Sequence, residues 1–321
     1  MMQKIKIKLK NQPLTKDLYR CLKDKCDKII RKKRIRYTGR FVDRSHGFTC
    51  LCIVLAGYKE YTYSDVLGRI KKYQKDDMDV CVVSSGVSSE QLDIICARNG
   101  WSYLSTKENH VGLVQNVAIA KHPKAKYIFK LDEDIFITEN YFDNMLKAYE
   151  HAQEGNYVPG VMAPLINVNG YSYAKILEKL NLCNVYEEKF GTFKYATGQT
   201  TAIESNAELA KFMWGKEGYV PYIDELNRKF SQEPLCENPC SFRFSIGAIL
   251  FERKLWDDMG FFSVSKSSTG MGQDEKEIDT FCYLNSRVLM VSENVVVGHL
   301  SFGPQNEEMK QFFFAHPENF R

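Results

Sequence analysis

The sequence predicts an α/β fold: a mostly parallel sheet flanked by helices, with a smaller mixed region after it. Short apolar runs alternate with stretches of helical spacing from residue 48 onward, the order of strands joined by crossover helices. Several of these runs end on small or acidic residues, at the place where open α/β sheets bind ligands. The 321 residues are 44% apolar and 26% charged, ordinary for a chain with a large core. No apolar run approaches the roughly 18 to 20 residues of a bilayer-spanning helix, so a transmembrane helix is not expected.

The first element is a basic helix. Residues 1–44 hold 16 Lys and Arg against 4 Asp, whereas the whole chain carries only +4, so the remainder is acidic. Leu14, Leu18, Leu22, Cys26 and Ile30 recur every fourth residue and form one stripe, with Lys23, Lys25, Lys28, Arg31 and Lys32 mostly around it. Residues 1–47 are therefore set apart as a basic amphipathic segment. Two readings stand: adhesion to an anionic membrane surface, or a solvated helix packed on the body. Nucleic acid is not expected as a partner, because no binding motif is present and the rest of the chain is acidic. No secretory signal is readable, so a cytoplasmic location is expected. The ten cysteines read as free thiols, since Cys50, Cys52 and Cys81 lie in strand-like runs. Cys236 and Cys240 lack the second pair that zinc needs.

The body begins with strand, helix, strand, helix at residues 50–55, 64–73, 80–83 and 88–98, the last opened by a capping box of Ser88 and Gln91. A strand near Tyr103, a helix over 112–121 and a strand over 127–131 continue the series, and Thr138 is expected to open the next helix. Residues 167–240 have weaker periodicity, with helical patches at 175–182 and 207–214, and read as an insertion shaping a second site. An apolar run at 244–251, a segment at 256–262, a Ser and Gly loop, a helix over 274–285 and strand-like runs at 288–291 and 295–297 complete the chain.

The predicted strand ends carry the chemistry: Ala56, Gly57 and Tyr58; Ser84, Ser85 and Gly86; Asp132, Glu133 and Asp134. Two aspartates one residue apart suit a hard cation, which takes oxygen ligands and completes its shell with water and phosphate. The plain alternative is an acidic turn before a helix. Asp274 follows the glycine loop of Gly270 and Gly272 at a helix start, where the helix dipole favours an ionised carboxylate. His299 ends the last apolar run and supplies an imidazole that tolerates manganese.

With that ordered set the chain resembles the family 2 type of inverting glycosyltransferases of the GT-A fold, over residues 48–302. The resemblance implies that Asp132, Glu133 and Asp134 form the DxD motif, with Asp132 near the ribose of a nucleotide sugar and Asp134 on the metal. Asn109, Gly112 and Asn116 look like the Asn- and Gly-bearing helix before that strand. Residues 245–251 followed by Gly260, Phe261 and Phe262 are similar to the segment leading to the acceptor. Gly272, Gln273, Asp274 and Glu275 resemble the signature whose Asp is the catalytic base, and His299 matches a late metal-binding His. The departures are Gly57 and Tyr58 after the first strand, Ser85 after the second, Gln273 for the usual Glu, and no Arg on the following helix until Arg287.

The resemblance divides the body, 48–321, into a nucleotide-sugar half, 48–166, and an acceptor half, 167–321. It implies a Mn2+ or Mg2+ cofactor, a nucleotide-sugar donor, expected to be a UDP-sugar, and a glycan or lipid-linked acceptor of the kind extended in surface polysaccharide synthesis. Aromatic residues between Tyr171 and Tyr222 are candidates for stacking on acceptor rings, with Trp214 and Trp256 at least as well read as core. The rivals are a phosphohydrolase using paired aspartates, which would want Thr where Phe136 stands, and a membrane-bound scaffold.

Overall fold

The computed structural model describes residues 13–198, 201–265 and 269–320. A short strand β1 (Gly39–Val42) precedes the predicted series, in which β2 (Cys50–Leu55), β3 (Met78–Ser85), β4 (Ser102–Thr106) and β5 (Tyr127–Asp132) are joined by helices. Those helices are α2 (Tyr63–Tyr73), α3 (Glu90–Asn99) and α4 (Val111–Lys121), following the basic helix α1 (Pro13–Arg34). After β5 come the two-residue strand β6 (Ile135–Phe136), helix α5 (Tyr141–Glu154) and β7 (Pro159–Ile166). Helices α6 (Ser172–Leu180), α7 (Cys183–Phe190), α8 (Ala202–Ser205), α9 (Ala207–Met213) and α10 (Ile223–Phe230) lead to β8 (Glu237–Pro239). The chain then forms β9 (Ala248–Glu252), α11 (Arg253–Met259), α12 (Gln273–Leu284), β10 (Val288–His299) and α13 (Asn306–Ala315).

The strands form one sheet in the order β1-β4-β3-β2-β5-β9-β7-β10-β6, with β8 also on β10. β4, β3, β2 and β5 are mutually parallel, β9 runs against both β5 and β7, and β7 is parallel to β10. Apart from β9, the seven central strands thus point the same way, and the expected mostly parallel sheet flanked by helices is the one observed. Every residue of β3 and of β7 is buried, so neither strand shows the alternation of a half-exposed one. The carboxyl ends of β2, β3 and β5 meet at one rim.

The sequence reading needs correction at several elements. The cap of α3 is Ser89, whose Oγ accepts the Leu92 N–H at 3.2 Å, and not Ser88. Thr138 caps nothing; it is buried and donates to Val296 O at 2.6 Å, tying the chain after β6 to β10. The runs at 288–291 and 295–297 are one strand, β10, interrupted by a register shift between Ser292 and Val296. Pro164 of β7 stands opposite Ser292, and a proline, having no N–H to donate, is tolerated next to such an irregularity. The middle segment is richer in helix than its periodicity predicts. In α10, Ile223, Leu226 and Phe230 are buried and lie on one face.

The basic helix stands on the body by its last turn. Arg31 donates to Asp257 O at 2.7 Å, and Arg34 donates to the carbonyls of Gly260 and Phe261, both at 2.7 Å. Residues 21–30 are exposed throughout, including Leu22, Ile29 and Ile30, so this stretch is not packed along the domain. The side chains of Leu14 and Leu18 lie outside the described part of the chain, as do residues 1–12. Among the described residues no helix is long and apolar enough to cross a membrane. All ten cysteines are free, with Cys50, Cys52 and Cys81 buried as read.

Candidate active site

The acidic strand end is built by pairing. β5 lies against β9, and the backbone N–H of Asp132 donates to Gly247 O at 2.9 Å. Lys130, buried two residues earlier, donates to Ile246 O at 2.8 Å and holds Asp132 Oδ1 at 2.6 Å. Desolvation, with Asp134 and Asp274 adding negative charge, outweighs Lys130 and pushes the Asp132 carboxyl up to about 6.

Asp134 meets His299 because β10 pairs with β6 in the register that sets His299 opposite Ile135. His299 Nε2 stands 3.5 Å from Asp134 Oδ2. Its Nδ1 lies 3.1 Å from Val168 O; a carbonyl only accepts, so Nδ1 donates to it, and Nε2 faces the carboxylate. The backbone of His299 is fixed twice more, its N–H donating to Asn167 Oδ1 at 2.9 Å and its carbonyl accepting Trp214 Nε1 at 3.0 Å. Gly298 has no side chain because the Trp214 ring fills that space; a Cβ there would fall 2.1 Å from the ring. Burial works against ionisation of Asp134, but Lys59 and His299 outweigh it and hold the carboxyl well below the usual range.

Lys59 is a residue that the sequence reading passed over. Its Nζ lies 2.6 Å from Asp134 Oδ2 and 3.1 Å from Asn306 Oδ1. The loop that carries it is held by Glu133, the middle residue of the acidic triplet. Glu133 Oε2 accepts the N–H groups of Gly57 at 2.8 Å and Tyr58 at 3.0 Å. Thr62 Oγ1 lies 2.7 Å from the carbonyls of both Lys59 and Glu133 and shares its single proton between them. Glu133, Gly57 and Tyr58 thus meet, but the Glu133 carboxylate is spent on the protein's own backbone.

At the next strand end the Tyr58 ring is exposed and its hydroxyl donates to Ser85 O at 2.6 Å. Ser85 Oγ donates to Asn109 Oδ1 at 3.3 Å. Ala56 and Ser84 are buried, and Ser84 Oγ accepts the Tyr103 hydroxyl at 3.3 Å, so their side chains face the sheet and not the rim.

α12 brings in the second group of acids. Asp274 is buried and its Oδ2 accepts Gln115 Nε2 of α4 at 2.8 Å. It is near enough to Asp132 to oppose that carboxyl's ionisation. Glu275 is ion-paired with Arg243 and accepts the Ile246 N–H at 3.3 Å, so it serves the chain around 243–246. Burial and the neighbouring Glu275 push the Asp279 carboxyl up to about 7. Arg287 is paired with Asp258 at 2.9 Å, away from these acids' partners.

Two expected donor contacts are structural. Asn116 is buried, and its Oδ1 accepts Trp256 Nε1 at 2.8 Å and Phe262 N–H at 3.0 Å. Its Nδ2 donates to Phe262 O at 2.8 Å and Arg34 O at 3.0 Å. An amide has two lone pairs and two N–H groups; all four are used, and none is left for a ligand. Gly112 permits α4 to approach the chain at 262–263, since a Cβ there would lie 3.0 Å from Phe262 Cβ and Ser263 O. Of the aromatic residues considered for an acceptor, Tyr171, Tyr173, Tyr186, Trp214 and Trp256 are core, whereas Tyr219 and Tyr222 are exposed.

Asp134 and His299 bring together a carboxylate oxygen and an imidazole nitrogen whose other nitrogen is held by a carbonyl, donor types that a divalent ion accepts, with the Lys59 ammonium paired to that same oxygen. Among the described residues no group of three or more His, Cys, Asp or Glu could hold a metal, so the remaining ligands would come from water and substrate.

Three solved structures are similar to the chain, and two of them name their contents. The crystal structure of S. aureus TarS is 13% identical, with a TM-score of 0.46 over 84% of this chain and 39% of that one. The mannosyltransferase PcManGT from Pyrobaculum calidifontis, solved with GDP-Man and Mn2+, is 13% identical, with a TM-score of 0.47 over 84% of this chain and 62% of that one. The TarS 1-349 structure in complex with UDP is 12% identical, with a TM-score of 0.45 over 83% of this chain and 64% of that one. The chain therefore spans less than two thirds of each. Neither a family profile nor a curated protein matches it.

Proposed function

We propose that this chain is a GT-A glycosyltransferase that moves a sugar, with inversion, from a nucleoside-diphosphate donor to a hydroxyl of a glycan or lipid-linked acceptor. A UDP-sugar is the proposed donor and surface polysaccharide synthesis the proposed setting. The observation that carries the reading is the meeting of Asp134 with His299, 3.5 Å apart at the rim where Asp132 also senses Asp274. Three distant stretches of chain put acids and an imidazole at the edge of one parallel sheet, the usual place of a nucleotide crevice.

In this reading the acceptor oxygen attacks the anomeric carbon, its proton passes to Asp274, and the bond from that carbon to the diphosphate oxygen breaks. The Asp274 carboxylate is held ready by Gln115, and placing acceptor and donor together supplies much of the rate. Glu275 is less suited to the role, being committed to Arg243. Asp134 and His299 would hold a Mn2+ or Mg2+ ion, which when bound supplies positive charge for the departing diphosphate. Tyr58, Ser85 and Asn109 line the rim where the nucleoside would lie, with the exposed Tyr58 ring offering a face for the base. The exposed Leu22, Cys26 and Ile30 of α1 and the lysines around them are proposed to rest on an anionic membrane surface on the cytoplasmic side.

The experiment is release of nucleoside diphosphate from a panel of sugar nucleotides, with the wild-type chain and Asp274→Asn. Release is expected from the wild type, and the variant is expected to lose about 10²- to 10⁴-fold in turnover while binding UDP as before. A variant that keeps most of its rate removes Asp274 as the base. Phosphate release from simple monoesters in place of diphosphate release would favour a phosphohydrolase, and neither product would leave a scaffold.

A further inference from the structure

We infer that Lys59 is a resident cation for the donor's diphosphate beside the proposed divalent ion, so that the site keeps affinity for nucleoside diphosphates when that ion is removed. The inference rests on the reading above and deepens it. Lys59 Nζ sits 2.6 Å from Asp134 Oδ2, the same oxygen that His299 Nε2 faces at 3.5 Å. It therefore occupies the position from which positive charge would reach a diphosphate at this rim. The Lys59 side chain is 20% exposed while that of Asp134 is 6% exposed, so the lysine is the less enclosed member of the pair. An ammonium has three protons to donate, and Asp134 and Asn306 account for two of them.

The placement is engineered by the fold and not left to a flexible side chain. Glu133 holds the N–H groups of Gly57 and Tyr58, and Thr62 bridges Lys59 O to Glu133 O. The middle residue of the acidic triplet is thus a positioning residue for the lysine, while its two neighbours face charge partners of their own. Lys130 makes the matching pair with Asp132 at 2.6 Å, but it is only 4% exposed and bound to Ile246 O, which leaves Lys59 as the ammonium of the two that can meet a ligand.

The test is calorimetric binding of UDP and of GDP to the full chain in EDTA and in Mn2+, for the wild type, Lys59→Met and Lys59→Arg. Expected are binding by the wild type in EDTA, a loss of about 10- to 100-fold in Lys59→Met, and retention in Lys59→Arg. Thermal melts establish that each variant is folded, and Lys59→Gln replaces Lys59→Met if the latter is not. Binding that requires Mn2+ in the wild type overturns the inference and leaves the glycosyltransferase reading standing. Equal affinity of wild type and Lys59→Met in EDTA overturns it as well. No binding of either nucleotide in either buffer removes both.

Discussion

Gly298→Ala tests whether the imidazole at the rim is set by packing beneath it. The added methyl carbon would lie 2.1 Å from Trp214 Cη2 and 2.7 Å from Cζ2, far inside van der Waals contact, so about 1 Å or more of movement is required. The strand cannot yield easily, because Gly298 and His299 are paired with Phe136 and Ile135 and the His299 N–H is bound to Asn167. The indole cannot yield easily either: it is buried, packs on the Phe320 ring at a 40° tilt with centroids 4.4 Å apart, and donates to His299 O. Overpacking costs about 1 to 3 kcal/mol, and loss of the buried indole bond about 1 kcal/mol more, so roughly 2 to 4 kcal/mol is expected. The assay is denaturant unfolding followed by tryptophan fluorescence, with Mn2+-dependent UDP affinity measured on the folded variant. Both should weaken, and adding Trp214→Phe, which removes ring volume, should recover part of the stability. A Gly298→Ala chain as stable as wild type, with unchanged affinity, would refute the proposition that Trp214 fixes His299.

Three further expectations concern other parts of the chain. Because the Asp279 carboxyl is raised to about 7, the folded chain keeps its proton where the unfolded chain has lost it; stability should fall as pH rises from about 4 to about 7, by about 2 kcal/mol after allowance for solvent screening. Asp279→Asn should flatten that slope in pH-dependent urea unfolding, and equal slopes would count against the assignment. Asn116→Ala strands Trp256 Nε1 and the backbone of Phe262 and should cost about 3 kcal/mol or more, whereas UDP affinity of the folded fraction should change little; a nucleotide-specific defect would restore Asn116 to the donor site. Replacing Leu22 and Ile30 with Glu should lift the chain off anionic vesicles in a sedimentation assay while leaving unfolding unchanged, since both side chains are exposed. Undiminished sedimentation would end the membrane proposal.

Much of the fold was legible because strands buried on both faces are written as apolar runs. Residues 50–55, 80–83 and 127–131 fall within β2, β3 and β5 as read. β7 was not read: Pro159, Gly160 and Pro164 break the run that its complete burial would otherwise announce. α10 carried a usable signal in Ile223, Leu226 and Phe230, obscured by the irregular segment around it. At the site, the acidic triplet, Asp274 and His299 stood out as chemistry-bearing residues at strand and helix ends. Lys59, Lys130, Gln115 and Arg243 carried no such mark, because a lone lysine or glutamine in a loop or helix looks like any solvated side chain.

The sequence by itself determined the order of elements from β2 to β5 and the residues that end β2, β3, β5 and β10, since these follow from local periodicity and the chemistry of short motifs. Only the tertiary structure decided which charges meet. The pairing of β10 with β6 sets His299 against Asp134, and the Glu133 clamp turns Lys59 onto that same carboxylate. These contacts join residues 75 and more than 160 positions apart along the chain. Electrostatic partnership depends on distance in space, and no local pattern encodes it.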